Sequence, residues 1–182
     1  FIEESLSGVI NEGILGGVFA ILAILIFLHF SIRSTAIIAI SIPLSVLTAL
    51  LLMRIQGLSL NLLTLSGLTI AIGRVVDDSI VVVENIYRNL QNGVGKREAV
   101  LQGTREVAAA ITAATLITVA VFLPVGFIGG LTREFFLPLA LTTSYALLAS
   151  LIVAVTIVPL LARYFLSAGS LPAPRETASQ RI

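Results

Sequence analysis

Apolar residues along the chain fall into five long runs divided by short polar breaks. The runs cover about 13–30, 35–53, 58–83, 107–127 and 135–162. Each approaches or exceeds the roughly 20 apolar residues that cross a bilayer as a helix. Backbone amides have no water to bond in hydrocarbon, so these spans are expected to be helical. The pattern therefore predicts an all-α, polytopic transmembrane bundle of five spans. Ser31 to Ser34, Arg54 to Gly57 and Gly129 to Glu134 form the short connections. The stretch from Arg88 to Glu106 reads as a longer polar linker, with a turn signal at Asn92-Gly93 ahead of Lys96-Arg97-Glu98. Pro43 and Pro124 lie within helical runs and predict kinks, whereas Pro138 and Pro159 lie nearer the ends of the last run. Residues 1–12 form an acidic lead into the membrane. Residues 167–182, rich in Ser, Pro and Ala, read as a flexible tail or linker.

Composition agrees with lipid as the main solvent. Of 182 residues, 57% are hydrophobic and only 12% charged, about half the charge of an ordinary soluble domain. The mean hydropathy is +1.07. With no Cys, disulfides, thiolate metal sites and cysteine nucleophiles are excluded, and His29 alone makes no histidine metal site. Trp is absent and no basic cluster interleaves with aromatics, so nucleic acid leaves no footprint. Gly126, Gly129 and Gly130 lack a following Gly-Lys-Ser/Thr and read as turn residues, so no cofactor is expected.

Charge placement says more than the net +1. With the chain start outside, inner segments hold Arg33, Arg88, Lys96, Arg97, Arg105, Arg163, Arg175 and Arg181, and outer ones only Arg54 and Arg133. That is the positive-inside arrangement. The sequence starts at Phe1 and its single methionine is Met53. The expectation is a piece of a longer polypeptide with at least one span upstream.

The third run carries the chemistry. Asp77 and Asp78 sit far from its ends, where a charged side chain costs about 2.5–3.5 kcal/mol on insertion scales. Two neighbouring carboxylates also repel each other. At least one is expected to keep its proton at rest and release it when a cation or water approaches, which is how a proton carrier behaves. Arg74 lies three and four residues earlier and can share their face. It either neutralises one acid in a structural ion pair or modulates a titrating relay. Glu84 and Arg88 read as a solvated helix-end pair, with Asn85 interfacial. Thr112, Thr115 and Thr118 recur at helical spacing, and either reach the aspartates or bond back to their own helix. Ala108, Ala109, Ala110, Ala113 and Ala114 would let their helix approach a neighbour closely. An intramembrane aspartyl protease is a remote alternative, since it needs aspartates facing each other from two helices, and this chain has no third Asp.

Gly73-Arg-Val-Val-Asp-Asp-Ser-Ile-Val-Val-Val-Glu-Asn-Ile86 resembles the fourth transmembrane helix of resistance–nodulation–division (RND) transporters, in their hydrophobe/amphiphile efflux branch. Phe27-Leu-His-Phe-Ser-Ile-Arg-Ser34, Ser41-Ile-Pro-Leu-Ser45, Leu60 to Gly67 and Val121 to Gly130 extend the resemblance to about Leu166. It implies that the five spans are helices two to six of a twelve-helix subunit. It further implies that Asp77 and Asp78 are the proton-relay pair of a drug–proton antiporter in the cytoplasmic membrane. Homotrimers, a periplasmic adaptor and an outer-membrane channel follow as implied partners. The family's lysine partner for the acids belongs to the other half of the subunit. Arg74 departs from the apolar residue of the best-known pumps. The resemblance also leaves room for a lipid exporter or protein-export accessory of the same superfamily.

Overall fold

A computed structural model describes residues 32–166, together with Leu15, Val18, Phe19 and Leu22. The expected first span, including His29, falls outside the described residues except for those four positions, and so do residues 1–12 and 167–182. Among the described residues four long helices follow one another: α1 (Ile32–Ile55), α2 (Leu62–Gln91), α3 (Lys96–Phe122) and α4 (Gly130–Phe165). Between the last two lies a 3-10 turn, Leu123–Phe127. The described residues contain no strand.

Among the described residues, three stretches are long and apolar enough to cross a membrane: Ile32–Ile55, Lys96–Phe127 and Gly130–Phe165. Helix α2, 30 residues long, extends about 45 Å at 1.5 Å per residue, which also exceeds a bilayer core. It fails on composition alone, because Arg74, Asp77 and Asp78 interrupt its apolar run.

Local sequence fixes the helix ends. Asn61 caps α2 reciprocally with Thr64: Asn61 Oδ1 accepts from the Thr64 amide at 3.0 Å, and Thr64 Oγ1 accepts from the Asn61 amide at 2.8 Å. That satisfies two of the amides a helix start leaves unpaired. At the other end Gly93 takes φ +81°, a left-handed conformation that a Cβ resists. Here the structure corrects the sequence expectation of a long polar linker. α2 runs on to Gln91 and α3 already begins at Lys96, leaving four residues as the turn of a helical hairpin. Hydrophilic helix ends that extend beyond the apolar core carry no apolar run, so hydropathy alone does not distinguish them from a loop. Pro124 does not kink a helix; it lies in the 3-10 turn that ends α3. Pro43 and Pro159 do sit inside α1 and α4.

Helix α2 is central, packing against α4, α1 and α3. Two apolar clusters fill the bundle. One joins Ile37, Ile38, Val82, Val83, Ile86, Val153, Ala154 and Val158. The other joins Ala49, Leu68, Ala71, Ala146, Leu147 and Ala149. Between them lies a layer of buried polar side chains: Ser41 and Ser45 on α1, Asp78 and Ser79 on α2, and Ser150 on α4.

Glycines permit the closest helix contacts. A Cβ on Gly67 would meet the Leu139 carbonyl oxygen of α4 at 2.8 Å, and one on Gly103 would meet Ile86 Cα of α2 at 2.8 Å. The alanine stripe of α3 does not serve that role, for Ala109, Ala110 and Ala113 are exposed among the described residues. Gly103, two turns earlier, makes the approach instead.

Candidate functional site

Adjacent residues on an α-helix point about 100° apart, and this separates the two acids. Asp78 faces the bundle and is 4% exposed, whereas Asp77 lies on the exposed side of α2. The Ser150 hydroxyl of α4 donates to Asp78 Oδ2 at 3.2 Å. One residue on, Ser79 is 2.8 Å from the Ser41 hydroxyl of α1, which is also 2.8 Å from the Ile38 carbonyl oxygen. The acid-bearing turn of α2 is thus tied by hydroxyls to both neighbouring helices. Two turns before Ser150 on α4, Thr143 donates to the carbonyl oxygens of Leu139 at 2.8 Å and Gly67 at 3.2 Å.

A hydroxyl both donates and accepts. Ser150 can donate to an ionised Asp78 and accept from a protonated one, so the contact survives either state. That tolerance is what a group that gains and loses a proton in a poorly hydrated layer requires.

Arg74 is half-buried and close enough to act on Asp78 by charge. Among the described residues it forms no salt bridge with either acid, and its Nε is buried with no hydrogen-bond partner. The simple neutralising pair is therefore absent. Asp77 belongs to a stripe of exposed α2 residues, Ile70, Gly73, Asp77, Val81, Glu84 and Arg88, spaced by three or four and hence on one face. This face carries ionisable groups and has no covering helix among the described residues.

The threonines of α3 do not reach the acids. Thr118 bonds back to the Ala114 carbonyl oxygen at 2.9 Å, and Thr115 is buried with no partner for its hydroxyl among the described residues. The partner is Ser150, which the sequence offered no spacing signal to find, because it lies 72 residues away.

A second polar cluster lies seven residues beyond Asp78. Asn85 is buried against α3. Its Nδ2 donates to the Gly103 carbonyl oxygen and to Glu106 Oε2, both at 2.8 Å. Asn89 and Gln102 also donate to Glu106, at 3.2 and 3.0 Å. Glu106 precedes the apolar part of α3, and these donated bonds, that from Asn85 first, hold its carboxyl below the usual carboxylate range. Arg88 does not pair with Glu84; its Nη2 donates to Asn85 Oδ1 at 2.6 Å. Among the described residues no group of three or more His, Cys, Asp or Glu could hold a metal ion.

Residues 1–180 match the AcrB/AcrD/AcrF family. The chain is 46% identical over 164 residues to the swarming motility protein SwrC of Bacillus subtilis (strain 168), covering 88% of this chain and 16% of that protein. It is 42% identical over 175 residues to the multidrug resistance protein MdtC of Escherichia coli (strain K12), covering 96% and 17%. The MdtC of Pantoea ananatis (strain AJ13355) is 40% identical over 180 residues, covering 99% and 17%. The chain thus spans about a sixth of the length of the curated relatives it matches.

Proposed function

The chain belongs to the AcrB/AcrD/AcrF family of RND transporters, and from that premise we propose that it forms the proton-handling part of an efflux pump of the cytoplasmic membrane, with Asp77 and Asp78 as the relay. The observation that carries this reading is the split of the pair. Asp78 rests on a hydroxyl that serves both its protonation states, and Asp77 opens onto the uncovered face of α2. In the complete subunit that face meets the remaining helices, whose lysine would exchange partners with Asp77 as protons pass. Arg74 acts as a modulator one turn away.

Each proton taken from outside and released inside shifts the charge of this layer. Relief of the cost of an ionised acid in hydrocarbon, several kcal/mol at mid-membrane, supplies the bias that moves the helices. Export of hydrophobic or amphiphilic compounds, homotrimer formation and docking to a periplasmic adaptor and outer-membrane channel belong to the whole subunit. The MdtC relatives, named for multidrug resistance, support the drug class. No residue here is assigned a catalytic role in bond chemistry.

Asp77→Asn and Asp78→Asn, made separately in the full-length subunit, test the reading by energised dye efflux. Each is expected to abolish export. Undiminished efflux in both would overturn the assignment.

A further inference from the structure

A groove of about 680 Å³ runs between the first turns of α3 and the last turns of α4. Its walls include Glu98, Leu101, Arg105 and Glu106 on α3, and Val155 and Pro159 on α4. Glu106 is occupied by the amides of Asn85, Asn89 and Gln102. Glu98 and Arg105 are exposed and, among the described residues, make no hydrogen bond or ion pair. They are seven residues apart, so they share a face and are separated by about 10.5 Å of helix rise.

Their order along the helix is informative. From the α2–α3 turn toward the membrane centre α3 presents the carboxylate of Glu98, then the apolar Leu101, then the guanidinium of Arg105, then an apolar run from Val107. A phospholipid with an ammonium headgroup presents the complementary order: ammonium outermost, phosphate below it, acyl chains below that. Pro159 adds an acceptor, because it has no N–H to bond the Val155 carbonyl oxygen four residues back. The apolar walls at Leu101, Val155 and Pro159 suit the glycerol and upper acyl segments.

We infer that this groove is a binding site for a zwitterionic phospholipid with a primary ammonium headgroup, in the leaflet on the side of the α2–α3 turn. Arg105 holds the phosphate, for which a guanidinium fork is well shaped. Glu98 accepts from the ammonium. A quaternary headgroup has no N–H to donate, and a glycerol headgroup carries no positive charge to offset Glu98, so both bind less well. The inference needs α3 and α4 to cross the membrane with this groove open to lipid in the whole subunit; it is independent of the proton relay.

The test uses the full-length subunit in vesicles with a trace of phosphatidylethanolamine, phosphatidylcholine or phosphatidylglycerol, each with the same photoreactive acyl chain. Labelled peptides are mapped by mass spectrometry. Phosphatidylethanolamine is expected to label the α3–α4 walls about fivefold more than either other lipid, the ratio that about 1 kcal/mol of headgroup contact gives. Glu98→Gln should bring phosphatidylethanolamine down to the phosphatidylcholine level, and Arg105→Gln should lower labelling by all three. The exposed α1 face at Leu47 and Leu51 should label equally with every lipid and in both variants, reporting intact folding. Equal labelling of the groove by the three lipids, a preference for phosphatidylglycerol, or labelling unchanged in both variants would overturn the site. So would exclusion of all lipid by residues 167–182 crosslinked into the groove.

Discussion

Ser150 on α4 donates its hydroxyl to Asp78 Oδ2 on α2 across 3.2 Å, between two apolar clusters that bury both residues. Replacing it with alanine removes the polar partner that Asp78 has in either protonation state. A hydrogen bond to a charged group is worth about 1.5–3 kcal/mol, so Ser150→Ala is expected to slow energised efflux by roughly tenfold or more. Efflux kinetics in the full-length subunit check this; a wild-type rate would show that the contact has no part in proton handling.

Asp78→Asn keeps the shape of the side chain and can still bond Ser150. It should therefore separate function from folding. Efflux is lost, while the bundle keeps a cooperative thermal transition in detergent close to that of the wild type, because no cavity is opened. A variant that unfolds outright would mean that the charge itself holds the bundle together.

Glycine substitutions probe the helix contacts. Gly103→Ala places a methyl 2.8 Å from the Ile86 backbone and should destabilise by about 1–3 kcal/mol, the usual cost of overpacking. Gly95→Ala, in the exposed hairpin turn, meets nothing within 4 Å among the described residues and should shift stability by no more than about 0.5 kcal/mol, as for an ordinary surface change. Paired unfolding curves decide the matter, and equal effects would contradict the close α2–α3 approach.

The α2–α3 hairpin should weaken in acid. The Glu106 carboxyl is held below its ordinary range by donated hydrogen bonds. Its contribution is therefore complete above the unfolded value and disappears as pH falls through the folded one. Hydrogen exchange of the α2–α3 turn amides should accelerate relative to the bundle core on acidification, and Glu106→Gln should flatten that dependence. Identical profiles in both proteins would rule out the carboxylate as the source.

The runs of apolar residues and the Asp77-Asp78 motif were legible in the sequence because composition and a contiguous motif are local signals. Asn92-Gly93 likewise marked a turn that the structure places at the hairpin. What the sequence could not show was direction. Whether Asp77 or Asp78 faces inward depends on the helix's rotation against α4, and that is set by Gly67 and the small residues around it. The partners of Asn85 were hidden for the same reason: Gly103 and Glu106 become its neighbours only once the hairpin closes. The polar ends of α2 and α3 resemble a linker in the sequence because they carry charge where the membrane core no longer demands apolar residues.

The central claim is that the Asp77–Asp78 layer takes up and releases protons. Infrared spectroscopy of the full-length subunit in lipid, titrated across the working pH range, tests it most directly. A protonated-carboxyl band that titrates, and that Asp78→Asn alters or removes, is the expected result. Both acids ionised at every pH in that range, with a spectrum indifferent to Asp77→Asn and Asp78→Asn in the protonated-carboxyl region, would contradict the account.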